Sequence, residues 1–213
     1  SSNAAASYND LTDKDQIVNK DAVSMLVSLG IIEGKPDGSY APTENVDRAQ
    51  MAKMLSVIMN KGVDNSALYQ SVNSGLVDVN TNWAKGHINY CYTTGIIAGR
   101  GNGKFDPAAT VTGNEAAKML LVAVGYDPAI EGFEGADWAI NVSVRADEQG
   151  IFEGFTKDLS APLNRDDAAL LIYNALDVEM IQSYTTNNYP IVYSDHRTIL
   201  SDKYGVIKVE GVV

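Results

Sequence analysis

Three segments of this 213-residue chain line up with one another: "LGIIEGKPDGSYAPTENVDRAQMAKML", "TGIIAGRGNGKFDPAATVTGNEAAKML" and "QGIFEGFTKDLSAPLNRDDAALLI". Internal repetition limits the possible folds more than any local signal. Each copy must be one supersecondary unit that hides its apolar face against its neighbours. The first two copies keep the same spacing throughout, since Gly30 to Gly95 and Arg48 to Gly113 are equal intervals. The third follows more closely, at Gly150 and Arg165, and lacks three residues between those anchors.

Each copy has the same grammar. A first helix, as in "DAVSMLVSLG" and "HINYCYTTG", ends at a glycine suited to the left-handed position that follows a helix. A short apolar stretch and a second glycine (Gly34, Gly99, Gly154) come next. "PDG" and "GNG" then supply turns in the first two copies. The second helix is the most clearly written element. Met51, Met54, Leu55, Ile58 and Met59 share one helical face, as do Ala168, Leu171, Ile172, Ala175 and Leu176. Asp47, Thr112 and Asn164 sit at the cap, with Gln50, Glu115 and Asp167 three residues on as capping-box partners; Asp167 is short for that task. Three such faces are hidden most simply against one another. The expected fold is therefore mainly α: three helix-loop-helix repeats in a pseudo-threefold unit around a central three-helix bundle. The expected boundaries are 9–62, 63–127 and 128–178.

An arginine follows the cap in the first and third copies, at Arg48 and Arg165, while the second has Gly113. A helix start offers free N–H groups and partial positive charge to an anion, and a guanidinium adds a fork for a carboxylate. The competing use is structural, with the arginine pairing to an acid or lying over an aromatic ring. The formal net charge of −11 argues against a nucleic-acid binder and requires any acidic ligand to be held by a local basic site.

Other signals are weaker. The single cysteine, Cys91, excludes an intramolecular disulfide and reads as core. Two histidines, His87 and His196, show no metal-ligand spacing, and the loops lack the acids of a calcium site, so neither a metal nor a cofactor is expected. "NVS" at Asn141 is a formal glycosylation sequon only. No apolar run approaches the ~18 residues of a membrane span. Within residues 1–8, "SSNA" reads as an expression-vector remnant before the mature start of a secreted protein. Residues 179–213, with "YPIVYSDHRTILSDKYGVIKVEGVV", read as a short β hairpin opening a further module that the sequence cuts short.

The repeats resemble the S-layer homology (SLH) family, whose pattern runs "DV…HWA…I…A…GI…G…DG.F.P…TRAE.A.ML". "LVDVNTNWAKGHINYCYTTGIIAGRGNGKFDP" follows it closely, and "DRAQ", "TGNE" and "NRDD" occupy the place of TRAE. The resemblance covers about residues 9–178. It implies a noncovalent anchor, on the surface of a Gram-positive bacterium, that binds secondary cell-wall polysaccharide carrying pyruvate ketals, with neighbouring S-layer subunits as further partners. Carried onto this chain, it implies ligand contacts at Arg48, Gln50, Asp78, Trp83, Asn114, Glu115, Trp138 and Arg165. Gly113 departs from the pattern. Val18 stands where the other copies have tryptophan, whose flat face can stack on a sugar. If each groove joins a TRAE-like motif to the start of the next repeat, Arg48 meets Trp83, Gly113 meets Trp138 and Arg165 meets the Val18 region. The alternatives are a protein–protein module for array assembly and part of a glycan-active enzyme using a carboxylate pair.

Overall fold

The computed structural model describes residues 7–208. The "SSNA" that reads as a vector remnant, and the last five residues of the strand-like end, lie outside that range. The chain is mainly helical, with a small antiparallel two-stranded sheet near its C-terminus. In chain order the elements are α1 (Lys20–Ser28), α2 (Arg48–Met59), α3 (Lys85–Thr93), α4 (Gly113–Val124), α5 (Pro128–Glu131), α6 (Trp138–Glu148), α7 (Arg165–Ala175), β1 (Ile181–Tyr184), β2 (Pro190–Val192) and α8 (Ile199–Tyr204). The first helices α1, α3 and α6 end at Gly30, Gly95 and Gly150, all left-handed with φ of 77°, 81° and 76°. A side chain there would be strained, which explains the repeated glycine.

The second helices α2, α4 and α7 start from one place. Val46 N–H donates to Leu163 O (3.0 Å), Leu163 N–H to Val111 O (2.8 Å) and Val111 N–H to Val46 O (3.2 Å). These three buried residues each precede a cap, so their backbone groups satisfy one another in a cycle. From that point α4 packs on both α2 and α7. Met51, Leu55 and Ile58 of α2 are almost fully enclosed, as are Leu120 of α4 and Leu171 and Ile172 of α7. Each large side chain so hidden contributes about 1.5–3 kcal/mol. Met54 and Met59 are only partly covered at the edge of this core.

The first helices pack in a rotated order. α3 lies on α2, α6 lies on α4, and α1 lies on α7. The first helix of each copy thus covers the second helix of the copy before, and the beginning of the chain covers the last. Asp166 fastens that closure: its buried carboxylate accepts the backbone N–H of Val18 (2.8 Å) and Asn19 (3.0 Å). Cys91 is wholly buried against α2, its Sγ 3.3 Å from Ala52 O, and burial pushes its thiol pKa well above the ordinary value.

Candidate functional site

The caps form as their residue types dictate. Asp47 accepts Gln50 N–H at 2.8 Å while Gln50 Oε1 accepts Asp47 N–H at 3.0 Å. Thr112 and Glu115 make the same reciprocal pair at 3.2 Å each. Asn164 accepts Asp167 N–H at 2.8 Å without a return bond, and the short Asp167 carboxylate turns instead to Lys157 Nζ at 2.6 Å.

Arg48 and Arg165 then do matching work. Arg48 Nε–H donates to Phe105 O and an Nη2–H to Ala98 O, both at 2.7 Å, with the guanidinium 4.5 Å from the centre of the Phe105 ring. Arg165 donates to Tyr40 O (2.7 Å) and Glu33 O (3.3 Å) and lies 4.7 Å from the Tyr40 ring centre. Tyr40 and Phe105 are equivalent positions of the first two copies, and so are Glu33 and Ala98. Each arginine therefore reaches into the turn of the following copy and holds its aromatic residue from above. From the other side Asp78 accepts the N–H of Phe105 (2.9 Å) and Asp106 (2.8 Å), and Asp13 does the same for Tyr40 (2.8 Å) and Ala41 (2.9 Å). Desolvation raises the Asp78 pKa, but these N–H bonds outweigh it and leave the carboxyl below its usual value. Burial, with Arg100 nearby, lowers the Arg48 pKa to about 10, so its charge persists at neutral pH.

Two grooves open beside these arginines. One, of about 360 Å³, is walled by Ile96–Arg100, Glu115, Lys118 and Met119, and completed by Arg48 and Trp138. The other, of about 440 Å³, is walled by Ile31–Pro36, Gln50, Lys53 and Met54, and completed by Arg165 and Trp83. The walls are built from equivalent positions of the first two copies, and each groove as a whole draws on all three. Arg48, Arg100 and Lys118 face Glu115 and Glu134 in the first; Arg165, Lys35 and Lys53 face Glu33 in the second. Some of this charge is internally paired: Arg100 with Glu115 at 3.3 Å, Lys53 with Glu33 at 3.6 Å, and Lys35 with Glu44. Both grooves remain cationic in excess, within a chain of net charge −11.

The expected pairing of arginine with tryptophan is corrected. Arg48 shares its groove with Trp138, not Trp83, and Trp83 shares one with Arg165. The reason lies in opposite offsets: the first helix packs back on the preceding copy, while the arginine reaches forward into the following turn. Trp83 is 60% exposed and Trp138 half-buried. Gln50 and Glu115 line grooves as well as closing caps, whereas Asp78 lines neither. Asn114 donates its backbone N–H to Leu159 O at 2.9 Å, and its side-chain Oδ1 is buried without a partner.

The third position has lost the arginine, the tryptophan and the lysine of the pattern. The shortened turn of the third copy brings Leu159 over the start of α4, where a Cβ on Gly113 would lie 3.3 Å from it. Val18, 80% exposed, replaces the tryptophan, and Leu170 replaces the lysine of the other two walls. Lys53 and Lys118 escaped the sequence reading, although each interrupts an apolar run at the same place in "MAKML" and "AAKML".

The S-layer homology domain family model matches residues 7–52 and 77–117, within the first two copies. The chain is 31% identical over 170 residues to a cell surface protein of Thermoanaerobacter kivui, covering 79% of this chain and 21% of that one. It is 32% identical over 113 residues to an S-layer protein of Bacillus licheniformis (53% and 12%). It is 28% identical over 188 residues to an exoglucanase of Acetivibrio thermocellus (81% and 16%). The chain thus spans about a fifth or less of the length of these relatives.

Proposed function

Since the chain belongs to the S-layer homology family of bacterial cell-surface proteins, we propose that it is a noncatalytic wall anchor with two working grooves. In this reading each groove binds an acidic, pyruvate-ketal-bearing unit of a secondary cell-wall polysaccharide on a Gram-positive surface. The observation that carries it is the repetition of one cationic, tryptophan-edged groove at equivalent positions, against the overall charge of the chain. A local concentration of positive charge in an acidic protein selects for an anion. The arginines are largely occupied by carbonyls, so Lys118 supplies the free ammonium of the first groove, with no ion pair among the described residues, while Lys53 of the second is shared with Glu33 at 3.6 Å. A pseudo-threefold arrangement of three repeats accounts for this layout, and the cyclic hydrogen bonds of Val46, Val111 and Leu163 support it.

Isothermal titration with a short pyruvylated glycan, too small to bridge grooves, tests the reading. Two ligands bind per chain, affinity falls with salt, and Lys118→Ala weakens one of the two sites. Equal binding of the depyruvylated glycan would remove the carboxylate from the account. A stoichiometry of three would return the Gly113 position to function.

A further inference from the structure

The second helices begin at a shared point and end, about 17 Å away, on a single segment of chain. Tyr204 of α8 donates its hydroxyl to Ile58 O in the last turn of α2 at 3.0 Å. Its ring lies against Gly62, where a Cβ would come within 3.4 Å of Tyr204 Cε1. Leu200, wholly buried, donates its N–H to Leu176 O at the end of α7 at 3.0 Å. Ile181 of β1 sits on Gly125, the left-handed residue that ends α4; a Cβ there would be 2.7 Å from Ile181 O. Tyr184 accepts Asp127 N–H just beyond the same helix at 2.8 Å. Finally Lys208 donates to Tyr173 O at 2.7 Å, with its ammonium 3.5 Å from the Tyr173 ring centre.

We infer that residues 179–208 form a load-sharing clamp: they join the far ends of all three second helices, so that pull from the C-terminal side is divided among the copies. A strap fixed to α7 alone would transmit tension to one helix and peel it away with the Asp166 closure. Fixed through Tyr204, Leu200 and Ile181 to three helix ends, the same strap loads them together and cannot detach from one without straining the others. The glycine at 125 permits a backbone approach by Ile181 too close for a side chain, so that junction is shaped for this segment, while at Gly62 the Tyr204 ring rests in ordinary van der Waals contact. The mechanical use rests on the anchor reading, but the clamp itself does not depend on a glycan.

Single-molecule pulling of the full chain between its two ends decides the matter. Release of the whole clamp segment ahead of the rest would lengthen the tether by about 10 nm. The intact chain shows no such step before the main rupture, whereas Leu200→Asp introduces one at lower force. A short early step in the unaltered chain would overturn the clamp. Tyr204→Phe, which keeps the ring, gives a second readout by amide exchange. Losing that hydrogen bond raises exchange about three- to tenfold in the last turns of α2, α4 and α7 together. A rise confined to α2 would equally overturn it. Glycan titration of the same variants is scored separately, so failure of the clamp and failure of the anchor reading are distinguishable.

Discussion

An arginine that is only 4% exposed as a residue, as Arg48 is, cannot be replaced by a lysine of equal charge. Lysine lacks the planar fork that reaches Phe105 O and Ala98 O at once and has a poorer fit to the ring below. Arg48→Lys is expected to lower unfolding stability by about 1.5–3 kcal/mol, the range for a hydrogen bond to a charged group. Arg165→Lys should cost less, since its second bond is 3.3 Å and the residue is only half-buried. Urea unfolding of both variants checks the order; an unchanged midpoint for Arg48→Lys would mean that the bonds are not felt. His87 adds a pH dependence. Its buried ring has Nδ1 without a partner and Nε2 3.5 Å from Asp64, and burial outweighs that carboxylate to hold its pKa below the ordinary 6.5. The unfolded chain therefore takes up the proton first, and stability falls as pH drops below about 6.5. The melting temperature should decline between about pH 6.5 and 5, and His87→Gln should flatten that decline. The arginines were legible in the sequence because they recur beside caps. Their true partners were not, because backbone carbonyls carry no residue signature.

Helix starts translate directly from sequence to structure here, because a cap is a contact between near neighbours in the chain. Asp47, Thr112 and Asn164 all cap, and the third lacks the return bond, as the short Asp167 side chain dictates. The pairing of elements was less legible. Repeat anchors show which residues are equivalent but not whether a first helix packs on its own copy or on the preceding one, and that choice decides which tryptophan meets which arginine. The lost third groove was half-visible: Gly113 and the shortened third copy were both evident, but only packing shows that they are one change. With the Leu159 backbone 3.3 Å from where its Cβ would lie, a new arginine at 113 has little room at the start of α4. Gly113→Arg is therefore expected to destabilise the chain by about 1–3 kcal/mol, as overpacking does, and to leave the number of bound ligands unchanged. A third ligand in that variant's titration would show that the position had lost only its side chain.

At the scale of the molecule, the Asp166 junction makes the first and last copies interdependent. Asp166→Ala should cost about 1.5–3 kcal/mol, lower a single cooperative transition and raise amide exchange in α1 and α7 alike; two separated transitions would indicate that the copies fold independently. By the same argument a fragment holding one copy should fail to fold, since its second helix would lack the first helix of the next. The closure has a further consequence, for how such chains can change over generations. An open stack of repeats can be lengthened or shortened by whole copies, because its ends are free. A circuit in which α1 covers α7 has no free end: a fourth helix pair has nowhere to enter, and two pairs cannot complete the cycle of Val46, Val111 and Leu163. On the proposed threefold reading, duplication of the underlying gene is therefore expected to add copies three at a time, as separate circuits strung along one chain.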